Sequence, residues 1–392
     1  MENSLILTLN AGSSSVKFAV FEAGVGGNDL ARGQVENVGG DARLDVAMAG
    51  APKKRIELGP ADHAGALHAI LTTIATLHPG STIAGVGHRI VHGGVHFIAP
   101  AVLGDKIRTE LASLIPLAPL HQPHNLAAVE AAIGAFPDAV QVGCFDTAFH
   151  QGKPFETEAF GLPRPLYDAG VRRYGFHGLS YTHVSSELAR RDPDLAAGRV
   201  IIAHLGNGAS MCALKGGKSI ASTMGFSTLE GLPMGTRCGQ IDPGVLFYLM
   251  AEEGMNREDL ETLLYKESGL KGLSGVSHDM REIEASGTPE AASAISFFTA
   301  AIRRHVGALA ADLGGLDALI FCGGIGEHSD TVRAQVCRGM DWLGIVADLT
   351  RNADHAEDFG AGPVRLMVIP TDEERVIADA TSAHIRAHTQ QP

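Results

Sequence analysis

Two segments of the chain, set half its length apart, carry the same pattern. Residues 5–9 form an apolar run, followed by Asn10-Ala11-Gly12-Ser13-Ser14-Ser15 and a second strand-like run from Val16. Residues 201–205 form another apolar run, followed by Gly206-Asn207-Gly208-Ala209-Ser210 and a strand-like run from Met211. Gly12 falls on Gly208 without a gap, an offset of 196 residues in a chain of 392. A turn of small residues between paired strands presents backbone N–H groups with no bulky side chain above them, which suits close approach to phosphate oxygens. One such turn is equally what β-turn sterics alone produce. Two in equivalent halves predict a duplicated domain with a ligand held between the copies.

The remaining pattern is compatible with that reading. Further strand-like runs lie at residues 83–91, 140–145, 318–322 and 364–369, and helical patterns at 64–77, 125–136, 180–190, 244–253 and 290–313. Strands and helices mixed in this way predict α/β layers with helices covering the sheets. The net charge of −13 makes a poor match to a phosphate backbone, so nucleic acid is not an expected partner. Five scattered cysteines (144, 212, 238, 322 and 337) build neither a disulfide framework nor a zinc site. No apolar stretch approaches the length that spans a bilayer, and residues 5–9 are too short for a signal segment. A cytoplasmic protein without a membrane partner is expected.

Several tempting motifs fail. Gly216-Gly217-Lys218-Ser219 resembles the end of a P-loop, but the required first glycine falls on Cys212. His88, His92 and His96 are spaced as on a metal-binding helix face, yet Gly93-Gly94 breaks a helix and 87–91 reads as strand. Cationic chemistry at strand ends is more telling. Arg89 lies within Gly87-His-Arg-Ile-Val-His-Gly-Gly94, and Arg237 within Met234-Gly-Thr-Arg-Cys-Gly239. An arginine among glycines has little cover and can grip a carboxylate or phosphate with both prongs; either could also sit in a surface ion pair. Asp146 follows a strand where ligand crevices form, or caps a helix begun at Thr147. Gly323-Gly-Ile-Gly-Glu327 is a strand–helix turn or a platform for a nucleotide.

Taken together, these blocks resemble the acetate kinases and, more broadly, the acetate and propionate kinases. The blocks are Asn10-Ala-Gly-Ser-Ser-Ser-Val-Lys17, Gly87–Gly94 as above, Pro119-Leu-His-Gln-Pro-His-Asn125, Phe145-Asp-Thr-Ala-Phe-His150 and Tyr174-Gly-Phe-His-Gly178. They continue through His204-Leu-Gly-Asn-Gly208, Gly235-Thr-Arg-Cys-Gly239, Asp279-Met-Arg281, the 323–327 block and Pro370-Thr-Asp-Glu-Glu374, in family order to about residue 380. The resemblance implies a duplicated ribonuclease-H-like fold of the actin and sugar-kinase type, with an interdomain cleft, and a homodimer. Its first domain would be residues 1–150 with a C-terminal helix, 374–392, packed back on it. Residues 151–373 would form the nucleotide-binding domain.

The implied reaction is transfer of a phosphoryl group between ATP and acetate, giving ADP and acetyl phosphate. The resemblance assigns catalysis to Arg89, Asp146, His177 and Arg237, with His121 a further polar group. Asp146 would orient Arg89 or a magnesium-bound water. The acid would lie against Arg89, Val91, Leu120 and Phe176. Phosphates and nucleotide would meet Ser13, Ser15, Lys17, His204, Leu205, Gly206, Asn207, Gly208, Asp279, Met280, Arg281, Gly323, Gly324, Ile325, Gly326 and Glu327. Mg²⁺, replaceable by Mn²⁺, would bind through Asn10 and Glu373. The chain departs from the family pattern at Leu179, Tyr181 (often histidine), Thr228 (often proline), Gln240 and Asp372. Thr228 leaves preference between acetate and a longer acid open. The competing readings are a propionate or butyrate kinase, a non-enzymatic nucleotide switch of the same fold, and an ATP hydrolase.

Overall fold

The computed structural model describes residues 4–12, 14–119 and 121–389. The chain divides into two compact units, Met1–Phe149 with Asp372–Pro392, and His150–Thr371.

The first unit is built on strands β1 (Ser4–Ala11), β2 (Ser15–Glu22), β3 (Asp29–Glu36), β4 (Asp41–Met48), β5 (Lys54–Pro60), β6 (Thr82–Ile90), β7 (Ala101–Val102) and β8 (Val140–Phe145). Their order across the sheet is β5-β4-β3-β2-β1-β6-β8-β7. β1 pairs antiparallel with β2 on one side and parallel with β6 on the other, and β6 pairs parallel with β8. β1 is apolar at nearly every position because both of its faces are covered. Leu5, Leu7 and Leu9 meet the helices His63–Leu77 and Gln122–Ala135 through Leu67, Ile70, Ile74, Ala128 and Ala132. Ile6, with Ala19 and Phe21 of β2, meets Ala378 and Ile385 of the helix Glu373–Thr389 on the other face. That helix lies so close to β6 that a Cβ on Gly87 would stand 2.4 Å from Ile377 Cγ2 and Thr381 Oγ1, so glycine there permits the packing.

The second unit repeats the scheme with β9 (Arg199–Leu205), β10 (Ala209–Lys215), β11 (Lys218–Ser222), β12 (Ala318–Cys322) and β13 (Arg365–Val368). The sheet order is β11-β10-β9-β12-β13. Again a hairpin, β9–β10, carries a parallel neighbour, β12, on the edge of its first strand, and β13 continues in parallel. The two sheets therefore share one topological core, and the repeat in the sequence is a repeat of structure: a duplicated ribonuclease-H-like α/β fold. Helix Pro289–Leu313 buries Phe298, Ile302, Val306 and Leu309. Thr288 starts it by accepting a hydrogen bond from the Ala291 N–H, proline occupies its first turn, and Gly314, at φ 73°, ends it. No helix among the described residues is long and apolar enough to cross a membrane.

Candidate active site

In the first unit, three strand ends and the start of the last helix converge on one guanidinium. Arg89, near the end of β6, donates from Nε to both Asp146 carboxylate oxygens at 3.0 and 3.1 Å, and from Nη2 to Oδ2 at 2.6 Å. Its Nη1 donates to Asn10 Oδ1 at 3.2 Å, and Glu373 Oε2 stands 3.8 Å from Nε. Asp146 is fully buried just beyond β8, and its N–H donates to the Ile90 carbonyl, locking it beside β6. Burial works against charge on Arg89, but the carboxylates of Asp146 and Glu373 hold its pKa above the ordinary range. Burial also pushes the Asp146 carboxyl up, against the pull of that same guanidinium. The sequence left Arg89 open between a surface ion pair and an anion grip. Its partner is buried rather than on the surface, and Asp146 is engaged by the guanidinium rather than by a helix start.

Around this centre, the Gly12 turn is closed by the Gly12 N–H donating to the Ser15 carbonyl at 2.8 Å, and His63 Nε2 donates to the Gly12 carbonyl at 2.8 Å. Ser15 opens β2, and Lys17 lies opposite Asn10 in the β1–β2 register. Lys17 lines a cavity with Arg32, Lys53 and Glu374. Val91 is buried, and its N–H donates to Asn125 Oδ1 at 2.9 Å. Asn125 Nδ2 in turn donates to the Ala11 carbonyl at 2.7 Å, tying the ends of β1 and β6 together. Asn125 was visible in the sequence only as one member of a block; its spanning role needed the fold. His121 immediately precedes the helix Gln122–Ala135. Ser13 and Leu120 lie outside the described residues. The three histidines spaced as a metal face do not form one: His88 is buried and donates to Gln141, whereas His96 pairs with Glu110 on the surface.

Metal binding by Asn10 and Glu373 is compatible with the donors present. One amide oxygen and one carboxylate flank Arg89, and both are hard oxygen ligands of the kind Mg²⁺ takes when water and phosphate complete its shell. Among the described residues no group of three or more His, Cys, Asp or Glu side chains forms a cage of its own.

In the second unit, a cavity of about 340 Å³ brings together Gly206, Asn207, Asp279, Met280, Arg281, Gly324 and Ile325. His278, Glu284, His328 and Ser329 complete its walls, and nothing in the sequence had singled them out. Asp279 caps the helix Met280–Ser286 by accepting from the Arg281 N–H, and it also pairs with the exposed Arg281 guanidinium. His204 and Leu205 end β9, with Leu205 buried. Gly323, at φ 74°, opens the helix Gly323–His328, where a Cβ would stand 2.7 Å from the Leu205 carbonyl oxygen. Gly326 is buried within that helix, and its carbonyl accepts from the fully buried Arg333 at 3.0 Å. Glu327 does not line the cavity: its Oε1 accepts from the Gly323 N–H at 2.8 Å and the Thr371 N–H at 3.2 Å. The acid thereby fixes the platform on which Gly324 and Ile325 face the cavity.

Arg237 stands on a loop bound to the glycine turn, with the Gly235 N–H donating to the Asn207 carbonyl at 3.0 Å. Arg237 Nη1 donates to the Thr228 carbonyl at 3.1 Å. Phe176 is buried, and its carbonyl accepts from His150 Nε2 at 2.9 Å, while Ser219 Oγ stands 2.9 Å from His150 Nδ1. Burial pushes the His150 pKa down to about 3, with Lys153 adding to the effect, so a neutral ring holds the backbone just before His177. His177 itself has φ 57° and ψ 26°, a left-handed conformation that costs a non-glycine residue free energy. Its ring stacks on His204 at 4.3 Å between centroids. Gly208 lies beneath it: a Cβ there would meet His177 Nε2 at 3.2 Å.

Duplicated sheets of this topology, with glycine turns at the strand ends and arginines beside them, suit the handling of phosphate groups, and similarity to known proteins places the chain among ATP-dependent phosphotransferases. The family model described as the Acetokinase family matches residues 5–379, and the chain belongs to that family. It is 51% identical to the acetate kinase of Methylocella silvestris over 96% of this chain and 97% of that protein. The crystal structure of Porphyromonas gingivalis acetate kinase superposes with a TM-score of 0.89 at 39% identity, covering 97% of this chain and 99% of that one. A propionate kinase from Francisella tularensis superposes with a TM-score of 0.91 at 33% identity, covering 96% and 98%.

Proposed function

We propose that this protein reversibly transfers the γ-phosphoryl group of ATP to acetate, giving acetyl phosphate and ADP by direct in-line displacement. The observation that carries the reading is the half-buried Arg89, held charged and oriented by the fully buried Asp146 beside the Asn10 and Glu373 oxygens. Acetate is an anion at neutral pH, since carboxyl pKa values lie near about 4, so the nucleophile needs no general base. The barrier is electrostatic: one anion must approach another while charge spreads over the equatorial phosphoryl oxygens. Arg89 grips the acid and steadies the incoming oxygens, with Val91, Leu120 and Phe176 against the methyl group. Arg237 meets the transferring group, and His177 donates a hydrogen bond to it. Asp146, paired as it is, acts by orienting Arg89 rather than by taking a proton.

Residues 1–150 with 374–392 form the N-terminal domain in this reading and 151–373 the nucleotide-binding domain; the compact units divide at Phe149/His150 and Thr371/Asp372, so Glu373 goes with the first. Ser13, Ser15 and Lys17 face phosphate oxygens, and the cavity lined by Asn207, Arg281 and Ile325 takes the nucleoside. Asn10 and Glu373 would hold Mg²⁺, or Mn²⁺ in its place, whose charge offsets that of the phosphates when bound. The enzyme acts as a homodimer. Helix Pro243–Ala251 supports this, because it buries none of its residues and leaves Val245, Phe247, Tyr248 and Met250 exposed. A cytoplasmic location suits five cysteines of which none is in a disulfide among the described residues.

The test is a hydroxylamine trap for acyl phosphate, run with MgATP and each short-chain acid. Hydroxamate that depends on acid, with acetate giving the highest kcat/KM, is expected. ATP consumption that runs equally well without acid would refute the reading. A propionate preference would keep the chemistry and change the substrate, which matters because one of the similar structures is a propionate kinase. A methylene is worth only about 1–3 kcal/mol in an apolar pocket, so the comparison must be quantitative.

A further inference from the structure

We propose that Ser210 and Tyr181 are positioning residues that keep the His177 imidazole protonated at Nε2 and aim that proton at the glycine turn. The inference rests on the reading of His177 as a hydrogen-bond donor to the transferring phosphoryl group.

Three side chains from two elements stand in a row. His177 Nδ1 lies 2.9 Å from Ser210 Oγ, on β10, and Ser210 Oγ lies 2.5 Å from Tyr181 Oη. Tyr181 belongs to the first turn of the helix Gly178–Arg191, and its own N–H donates to the His177 carbonyl at 3.1 Å. Both Ser210 and Tyr181 are fully buried, so bulk water does not compete for these groups. Ser210 has a single proton to place between its two neighbours. A phenol is a stronger donor and a weaker acceptor than an alcohol, and an imidazole nitrogen is a better acceptor than a phenol oxygen. The favoured order therefore runs from Tyr181 O–H to Ser210 Oγ, and from Ser210 O–H to His177 Nδ1. Each bond polarises the next. Nδ1 is then an acceptor, and the ring proton resides on Nε2. That nitrogen is the one facing Gly208, where a Cβ would stand 3.2 Å from it.

The backbone agrees with this assignment. His177 holds a left-handed φ of 57°, and the contacts of its ring compensate for that conformation: Ser210 on one edge and the His204 stack on one face. Without Ser210 the ring is free to exchange tautomers. A proton on Nδ1 would leave Nε2 presenting a lone pair to phosphate oxygens, which repel it.

The test combines imidazole ¹⁵N–¹H correlation spectra with steady-state kinetics on the full chain, the His177 signals being assigned by their loss in His177→Asn. Expected for the intact protein are an unprotonated, pyridine-type Nδ1 and a protonated, pyrrole-type Nε2. Ser210→Ala should give exchanging tautomers and a kcat lower by roughly 10- to 100-fold, with KM for acid and nucleotide within about threefold. Tyr181→Phe, which removes one oxygen and keeps the packing, should lower kcat by about 3- to 10-fold in the same pattern. A pyrrole-type Nδ1 in the intact protein would overturn the proposal. So would a kcat within about twofold of the parent in both variants, since effects of that size lie below a general donor's contribution. The spectrum reads the tautomer whether or not acyl phosphate is made, so failure of the functional reading would be seen separately in the hydroxylamine trap.

Discussion

At the scale of single residues, the centre of the first unit depends on the shape of a guanidinium as much as on its charge. Arg89 uses Nε and Nη2 on Asp146 while Nη1 reaches Asn10, a division of labour a lysine ammonium cannot reproduce. Arg89→Lys should therefore lower kcat roughly 10²- to 10³-fold although the positive charge is kept. It should also lower stability by about 1–3 kcal/mol, because a buried carboxylate loses its two-pronged partner. Steady-state hydroxamate assays and melting curves check the two parts separately, and near-normal turnover of the variant would contradict the assigned role. Arg89 and Asp146 were both legible in the sequence, since each follows an apolar run among small residues. Their mutual pairing was expected only through the family resemblance, because it joins residues 57 apart in sequence that only the fold brings together. The contacts of Ser210 and His150, which the sequence showed only as members of blocks, and Arg333 altogether, were illegible for another reason. Each acts on backbone or on another side chain, through partners that only the tertiary fold brings near.

Among elements, the apolar strands β1, β2, β6, β8, β9, β10 and β12 could all be read from hydrophobic runs, because they are central in their sheets and covered on both faces. β3, β4 and β5 could not. Only one face of each is apolar, with Ala31 and Val35 of β3 and Ala42, Leu44 and Val46 of β4 in the core, and the charged residues between them pair across strands, as in Arg43–Glu36 and Arg55–Asp45, so no continuous hydrophobic run marks them. Buried histidines, His88 on β6 and His150 in the short turn after β8, have a chemistry with a measurable signature. Burial pushes His88 down to about 4 and His150 to about 3, against about 6.5 in an unfolded chain. Between those values the unfolded state binds more protons than the folded one, so stability falls as pH drops below about 6.5 and is indifferent to these groups above about 7. The first unit holds two such histidines, since burial pushes His92 to about 4 as well, and the second holds His150; the apparent melting midpoint should fall by at least about 4–8 °C between pH 7 and pH 5. His150→Gln should flatten that dependence for the second unit. A midpoint that stays constant over this interval would mean that the ring is not held neutral.

Over the whole molecule, the helix Pro243–Ala251 follows the Arg237 loop in sequence and turns four large apolar side chains outward. If a second copy covers them, Phe247→Glu should convert the protein to monomers in sedimentation velocity, with each unit still folded by circular dichroism. A parent that sediments as a monomer would remove the dimer from the reading. The chain path has a separate consequence. The sheet face formed by Ile6, Ala19 and Phe21 is covered by the helix Glu373–Thr389, and the 222 residues of His150–Thr371 come between them in synthesis order. At about 5–20 residues per second, a ribosome needs on the order of 10–45 s to translate that interval. For that time the nascent first half has an oily flank with nothing to shield it, while the second half has every strand it requires as soon as it emerges. The portion made first is thus the portion finished last, and it is there that a chaperone would find its grip.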